Sequence, residues 1–198
     1  MKRTFTLATV LLGALTPGFS QKLMLTGSYT RVSEDSFAGV ASTSLHTVLP
    51  LGQHMVAGVG ISAGRNRQVY QDFISYPDAA GGGRAIGAYH NFLYSLQGFL
   101  AARLAFAPHY EATIGPSAGF YLLGARERSD ELKPGFGLWS NVTYKHIGGS
   151  RFNVDAVFHP KVLLRSFPVE DANFRFDDQR LFVWDAQVGI SYDLKRQP

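Results

Sequence analysis

The chain of 198 residues carries 19 Lys and Arg against 15 Asp and Glu, a formal net charge of +4, and contains no cysteine. Bases and acids alternate and form no basic stripe or aromatic-basic motif, which argues against nucleic acid as a partner. Without cysteine there is no disulfide scaffold and no thiolate metal site, and the length fits a single domain.

The first element is a leader. Lys2 and Arg3, an apolar run over Leu7 to Leu15 and the exit Pro17-Gly18-Phe19-Ser20 predict a secretory signal peptide over 1–20, cleaved before Gln21, and a barrel domain over 21–198. Removing 1–20 takes away two bases and no acid, so the remainder is nearly neutral. No later stretch approaches the roughly 20 consecutive apolar residues of a transmembrane helix, so passage through a bilayer must be by strands.

From there, period-two alternation recurs between turn signals, as expected of β-strands. Residues 23–31 and 37–49 give the first two strands, the least clearly alternating. In the third, Met55, Ala57, Val59 and Ile61 oppose Gly58, Gly60 and Ser62. In the fourth, Phe92, Tyr94, Leu96, Leu100, Leu104 and Phe106 oppose Asn91, Ser95, Gln97 and Arg103. The fifth opposes Tyr110, Ala112, Ile114, Ala118 and Phe120 to Glu111, Thr113, Gly115, Ser117 and Gly119. Apolar faces through Phe136 to Tyr144, Phe152 to Leu164 and Phe182 to Leu194 complete eight strands. Pro116 and Pro160 lack a ladder donor, which predicts a bulge or a missing bond at each.

Placing the amino end in the periplasm puts the turns at 50–53, 107–109 and 148–150 on one side. The longer connections at 67–83, 124–134 and 167–178, with the short 33–36, fall on the other. Short periplasmic turns and longer outer loops are the pattern of outer-membrane barrels. The fold expected is all-β, an eight-stranded antiparallel up-and-down transmembrane β-barrel.

A soluble lipocalin-like barrel that binds apolar ligands has the same strand count, so the faces must be oriented. The interior of eight strands is just wide enough for side chains to fill it. The glycines lie on the polar face, and turning the large apolar face inward would overfill that space. Aromatics on the apolar face also gather at two levels: Phe106, Tyr110, Tyr144, Phe152 and Tyr192 near the periplasmic turns, and Tyr29, Phe92, Phe120, Phe136, Phe182 and Trp184 toward the outer loops. Two such girdles imply two lipid–water interfaces. Hydrocarbon also tolerates no unpaired sheet edge.

Residues 105–123, a strand end, a Pro turn and then a Gly-Pro-x-x-Gly-aromatic strand over Gly115 to Leu123, followed by a Gly-rich strand over Pro134 to Tyr144, resemble the outer-membrane β-barrel domain family of Bacteroidetes-type small outer-membrane proteins. Gln21 as first mature residue also resembles exported proteins of that phylum. The resemblance covers about 92–194 and implies a Gram-negative outer-membrane location; it supplies no catalytic residue. The chain ends Asp193-Leu194-Lys195-Arg196-Gln197-Pro198 rather than on an aromatic, so recognition by the assembly machinery through Tyr192 and Leu194 is an inference.

Sorting the inward face by charge gives Arg103, Lys145, Lys161 and Arg165 against Glu111, Asp155, Asp185 and Asp193. If the Pro108 turn pairs Ala105 with Glu111, Arg103 is diagonal to Glu111; if the Gly148 turn pairs Lys145 with Asn153, Lys145 is diagonal to Asp155. These pairs are expected to be structural and to leave a filled lumen, so the barrel is not a general, porin-like pore. A lipid-modifying hydrolase of lipid A deacylase type is the alternative. Ser44 and His46 share a face for it, but His46 falls at the wrong depth, and His159 near Asp155 reads better as a lumen residue. No catalytic residue, cofactor or metal ligand is assigned. The expected partners are outer-membrane lipid and lipopolysaccharide and the assembly machinery. Outer-loop aromatics Tyr70, Phe73, Tyr76, Phe174 and Phe176 are the candidates for binding an extracellular ligand of unknown kind.

Overall fold

The structure, a computed structural model, describes residues 22–32, 39–74, 83–124, 131–164 and 181–194, with backbone alone at 67–74, 83–91, 124 and 131. The expected signal segment 1–20 lies outside the described residues, as do Tyr76, Arg165, Phe174 and Phe176.

Eight strands follow in chain order: β1 (Lys22–Val32), β2 (Val40–Pro50), β3 (Met55–Ile74), β4 (Gly83–Ala107), β5 (Tyr110–Gly124), β6 (Glu131–Tyr144), β7 (Phe152–Leu163) and β8 (Leu181–Asp193). Each pairs antiparallel with the next, and β8 pairs with β1, closing the barrel. A walk along paired residues from Lys22 through Val48, Gly58, Phe99, Ser117, Gly137, Lys161 and Val183 returns to β1 at Val32, not at Lys22. That offset, with strands about 4.8 Å apart and about 3.3 Å of rise per residue, tilts the strands by roughly 40° and gives a backbone radius of about 8 Å. A strand of 11 residues such as β1 then rises about 27 Å along the axis, close to the ~25 Å apolar band of a membrane barrel.

The alternation in the sequence becomes an inside and an outside. On β8, Val188 is 65% exposed and its neighbour Gln187 is 2% exposed. The same division runs through β7, where Phe152, Val154, Phe158 and Val162 face out while Asn153, Asp155, Val157, His159 and Lys161 are buried. Large apolar side chains therefore cover the exterior. Aromatic contacts mark its two ends, with Tyr29–Trp184 and Phe92–Tyr94 at one and Phe106–Tyr110–Tyr144 and Phe152–Tyr192 at the other.

Both prolines sit in the sheet without shifting its register. Pro116 pairs with Leu138 of β6 and Pro160 with Trp184 of β8. On the opposite side of each, the ladder skips: β4–β5 pairing passes from Phe99↔Ser117 to Ala102↔Ile114, and β6–β7 pairing from Gly137↔Lys161 to Ser140↔Phe158. A residue without an N–H costs rows of pairing on one side here and makes no bulge. The bulge lies instead at Ala105/Ala107.

The expected loop over 67–83 is corrected. β3 pairs with β2 only as far as Ser42↔Gly64, and β4 pairs with β5 only from Phe92↔Gly124 inward. Beyond those rows, Asn66 to Ile74 pair with Asn91 to Gly83 as a two-stranded ribbon rooted at Arg65↔Phe92. Polar composition suggested a loop. A hairpin that has left the barrel satisfies its backbone across the pair and needs no apolar face, so polarity does not end the strand.

Candidate functional site

Inward residues fall into layers along the barrel axis, and several strands repeat the same order. From the β1 start outward, β1 reads Lys22, Met24, Thr26, Thr30, Val32; β7 reads Asp155, Val157, His159, Lys161, Leu163; β4, in reverse, reads Arg103, Ala101, Phe99, Gln97, Leu93. The lumen is thus an ionic layer, an apolar layer, a polar layer and a second apolar layer.

The ionic layer has two buried anions. Glu111 accepts a hydrogen bond from Arg103 Nε at 2.5 Å and is also bridged by Lys145. The Pro108 turn does pair Ala105 with Glu111, which makes Arg103 the diagonal neighbour. The expected Lys145–Asp155 pair is corrected. Thr143 stands opposite both Glu111 and Asp155, so Lys145, two residues on, is diagonal to each, and its ammonium bridges Glu111. Asp155 is saturated from elsewhere. It accepts from Lys22 Nζ (2.6 Å), Thr143 Oγ1 (2.6 Å), Asn141 Nδ2 (3.0 Å) and Ser191 Oγ (2.5 Å). Lys22 reaches it past β8 and also donates to Thr143. The sequence reading passed over Lys22 because it sits at the leader boundary, ahead of any clear alternation.

Above this layer lie Met24, Val56, Phe99, Ala101, Trp139 and Val157. Phe99 and Trp139 stack at 4.2 Å, while His46 and His159 flank the indole at 5.0 and 5.7 Å. Gly58 on β3 makes room, since a Cβ there would collide with the Phe99 ring. Trp139 and Phe99 went unremarked in the sequence although a signal was present: they are large residues on the face otherwise given to glycine and polar groups.

The polar layer is knitted by Thr26 Oγ1 donating to Gln187 Oε1 (2.8 Å), Ser44 Oγ to Ser62 Oγ (2.9 Å), a 2.7 Å bond between Ser117 Oγ and His159 Nε2, and a Lys161–Asp185 bridge. The Lys161 ammonium also lies 4.5 Å from the Tyr121 ring centroid. Val32, Val40, Leu93, Tyr121, Leu123, Leu163 and Val183 then close the far end.

This arrangement is poorly built for hydrolysis. Ser44 bonds Ser62 rather than His46. Ser117, His159 and Asp185 stand in nucleophile–base–acid order, but His159 Nδ1 is 3.8 Å from Asp185 Oδ2, beyond hydrogen-bond reach, and Asp185 is committed to Lys161. All three are buried between the two apolar layers, where no substrate can approach. Among the described residues no group of three His, Cys, Asp or Glu could hold a metal ion. Four side-chain layers are thus stacked along a lumen whose backbone radius is about 8 Å.

Of the loop candidates, Tyr70 and Phe73 lie on the ribbon, paired with Gly87 and Arg84. The ribbon is rooted by Asn66 Nδ2, which donates to the Gly39 carbonyl at 2.9 Å.

No protein-family model and no curated protein matches the chain. Solved structures do. Neisserial surface protein A is similar with a TM-score of 0.61 at 10% identity, over 88% of this chain and 97% of that one. Outer membrane protein H of P. aeruginosa aligns at 0.47 and 11% identity over 88% and 99%, and the attachment invasion locus protein of Yersinia pestis at 0.45 and 11% over the same shares. At 10% identity the likeness to the Neisserial protein is one of fold alone. Nothing among the matches carries the narrower Bacteroidetes attribution.

Proposed function

We propose that the protein is a non-enzymatic integral outer-membrane barrel with a structural or surface-interaction role, exported by a cleaved signal over 1–20 and seated among outer-membrane lipid and lipopolysaccharide by the assembly machinery. The observation that carries this reading is the inversion of the surface: Val188 is 65% exposed and Lys161 is 2% exposed. Burying ions while presenting large apolar side chains is unfavourable in water and favourable only where the outer solvent is hydrocarbon. The same inversion speaks against a soluble lipocalin-like carrier, whose apolar face would line a ligand cavity. The sealed layers speak against a pore, and the placement of Ser117, His159 and Asp185 against a hydrolase. Interaction with the outside then falls to the residues beyond the barrel rim, Tyr70 and Phe73 among them.

The test is membrane fractionation of cells expressing the chain, followed by gel migration with and without heating. Release only with detergent and a heat-dependent shift in migration are expected. Extraction by high salt or carbonate alone would overturn the reading.

A further inference from the structure

Register divides the β3–β4 ribbon into two sets of opposite character. One set pairs Arg65 with Phe92, Arg67 with His90, Val69 with Ala88, Gln71 with Ile86 and Phe73 with Arg84. Successive strand residues alternate between faces, so this set continues the barrel face that carries Val59, Ile61 and Tyr94 on the exterior. The other set, which includes Asn66, Gln68, Tyr70, Asp72, Tyr89 and Gly87, continues the lumen face. All three arginines and the histidine of the ribbon belong to the exterior set, and its one acid, Asp72, belongs to the other.

Height adds a second constraint. Arg65 is exposed and stands opposite Phe92, which contacts Tyr94 at the outer aromatic level. Aromatic girdles mark the boundary between hydrocarbon and headgroups. The first cationic row therefore starts at that boundary, and Arg67 follows it two residues on along the same face, whereas Arg84, opposite Phe73, stands about 26 Å further along the strand than Arg65.

We propose that the face bearing Arg65 and Arg67 is a docking surface for the anionic phosphate headgroups of the surrounding lipid. Guanidinium groups meet phosphate oxygens with paired, charge-assisted hydrogen bonds. Two cations without an acid on the same face complement a phosphate headgroup, and continuity with the lipid-facing side of β3 and β4 selects a membrane headgroup over a soluble polyanion. This inference rests on the integral-membrane reading above.

The test is native mass spectrometry of the protein released from micelles holding phosphatidic acid and phosphatidylcholine in equal amounts. Wild type should retain phosphatidic acid over phosphatidylcholine by about fivefold or more, with the preference shrinking as salt rises. The variant R65Q/R67Q should lose that preference, while Q68A/D72N on the other face keeps it. An R65Q/R67Q protein that keeps the preference, or a wild type that shows none, would overturn the proposal. Heat-modifiable migration of each variant separates the two readings: a barrel that is intact and detergent-dependent yet indifferent to these arginines removes only the docking surface.

Discussion

Phe99 and Trp139 lie face to face across the lumen, ring centroids 4.2 Å apart and planes within 4°, although their strands β4 and β6 are separated by β5. The stack ties two next-but-one strands together through the interior, past β5. Truncating either ring should leave a cavity that a rigid barrel cannot collapse, costing about 3–5 kcal/mol. Urea titration of Phe99→Ala and Trp139→Ala in micelles measures this, and the double variant should show a coupling of about 0.5–1.5 kcal/mol. Additive losses would mean that the rings do not act as a pair.

The stack depends on a glycine facing it. A side chain at Gly58 would enter the Phe99 ring, whereas the nearest atom to a Cβ at Gly27 is 4.0 Å away. Gly58→Val should therefore reduce refolding yield into micelles sharply, and Gly27→Ala should refold as wild type. Equal behaviour of the two would remove the packing argument.

Glu111 holds two cations, and their side chains are no more than 19% exposed. Reversing its charge in Glu111→Lys would leave three cations together at the base of the lumen, with an expected loss of roughly 3–5 kcal/mol. Adding Arg103→Glu should restore part of it. Unfolding midpoints in urea check both, and an unchanged midpoint for Glu111→Lys would show that the layer contributes nothing.

Beyond the rim, the ribbon should be dispensable for folding. Replacing 68–89 by Asn-Gly joins Arg67 to His90, which are already paired, through a two-residue turn suited to a hairpin. The shortened protein is expected to keep its heat-modifiable migration. Its unfolding midpoint should move little, because the ribbon pairs with no other strand among the described residues. Loss of folding would assign the ribbon a part in the barrel itself.

Strand count, closure and the orientation of the two faces were legible in the sequence, because period two and glycine placement follow directly from a narrow closed sheet. Arg103–Glu111 was legible too, since the tight Pro108 turn sets that register locally. Lys22–Asp155 and Phe99–Trp139 were not: each joins two strands with a third between them, so the registers of two ladders together decide them rather than any one turn. The ribbon was missed for a different reason. Its residues carry no apolar alternation once they leave the rim, and only backbone pairing shows that Tyr70 and Phe73 belong to a strand.

The central claim is that β8, like its neighbours, presents one face to hydrocarbon and the other to a dry, filled lumen. The chain has no cysteine, so single spin labels at Val188 and Gln187 in a reconstituted bilayer report on the two faces directly. The Val188 label should collide freely with oxygen and scarcely with a water-soluble nickel complex, and the Gln187 label should be shielded from both. A Val188 label relaxed by nickel, or a Gln187 label open to it, would contradict the account.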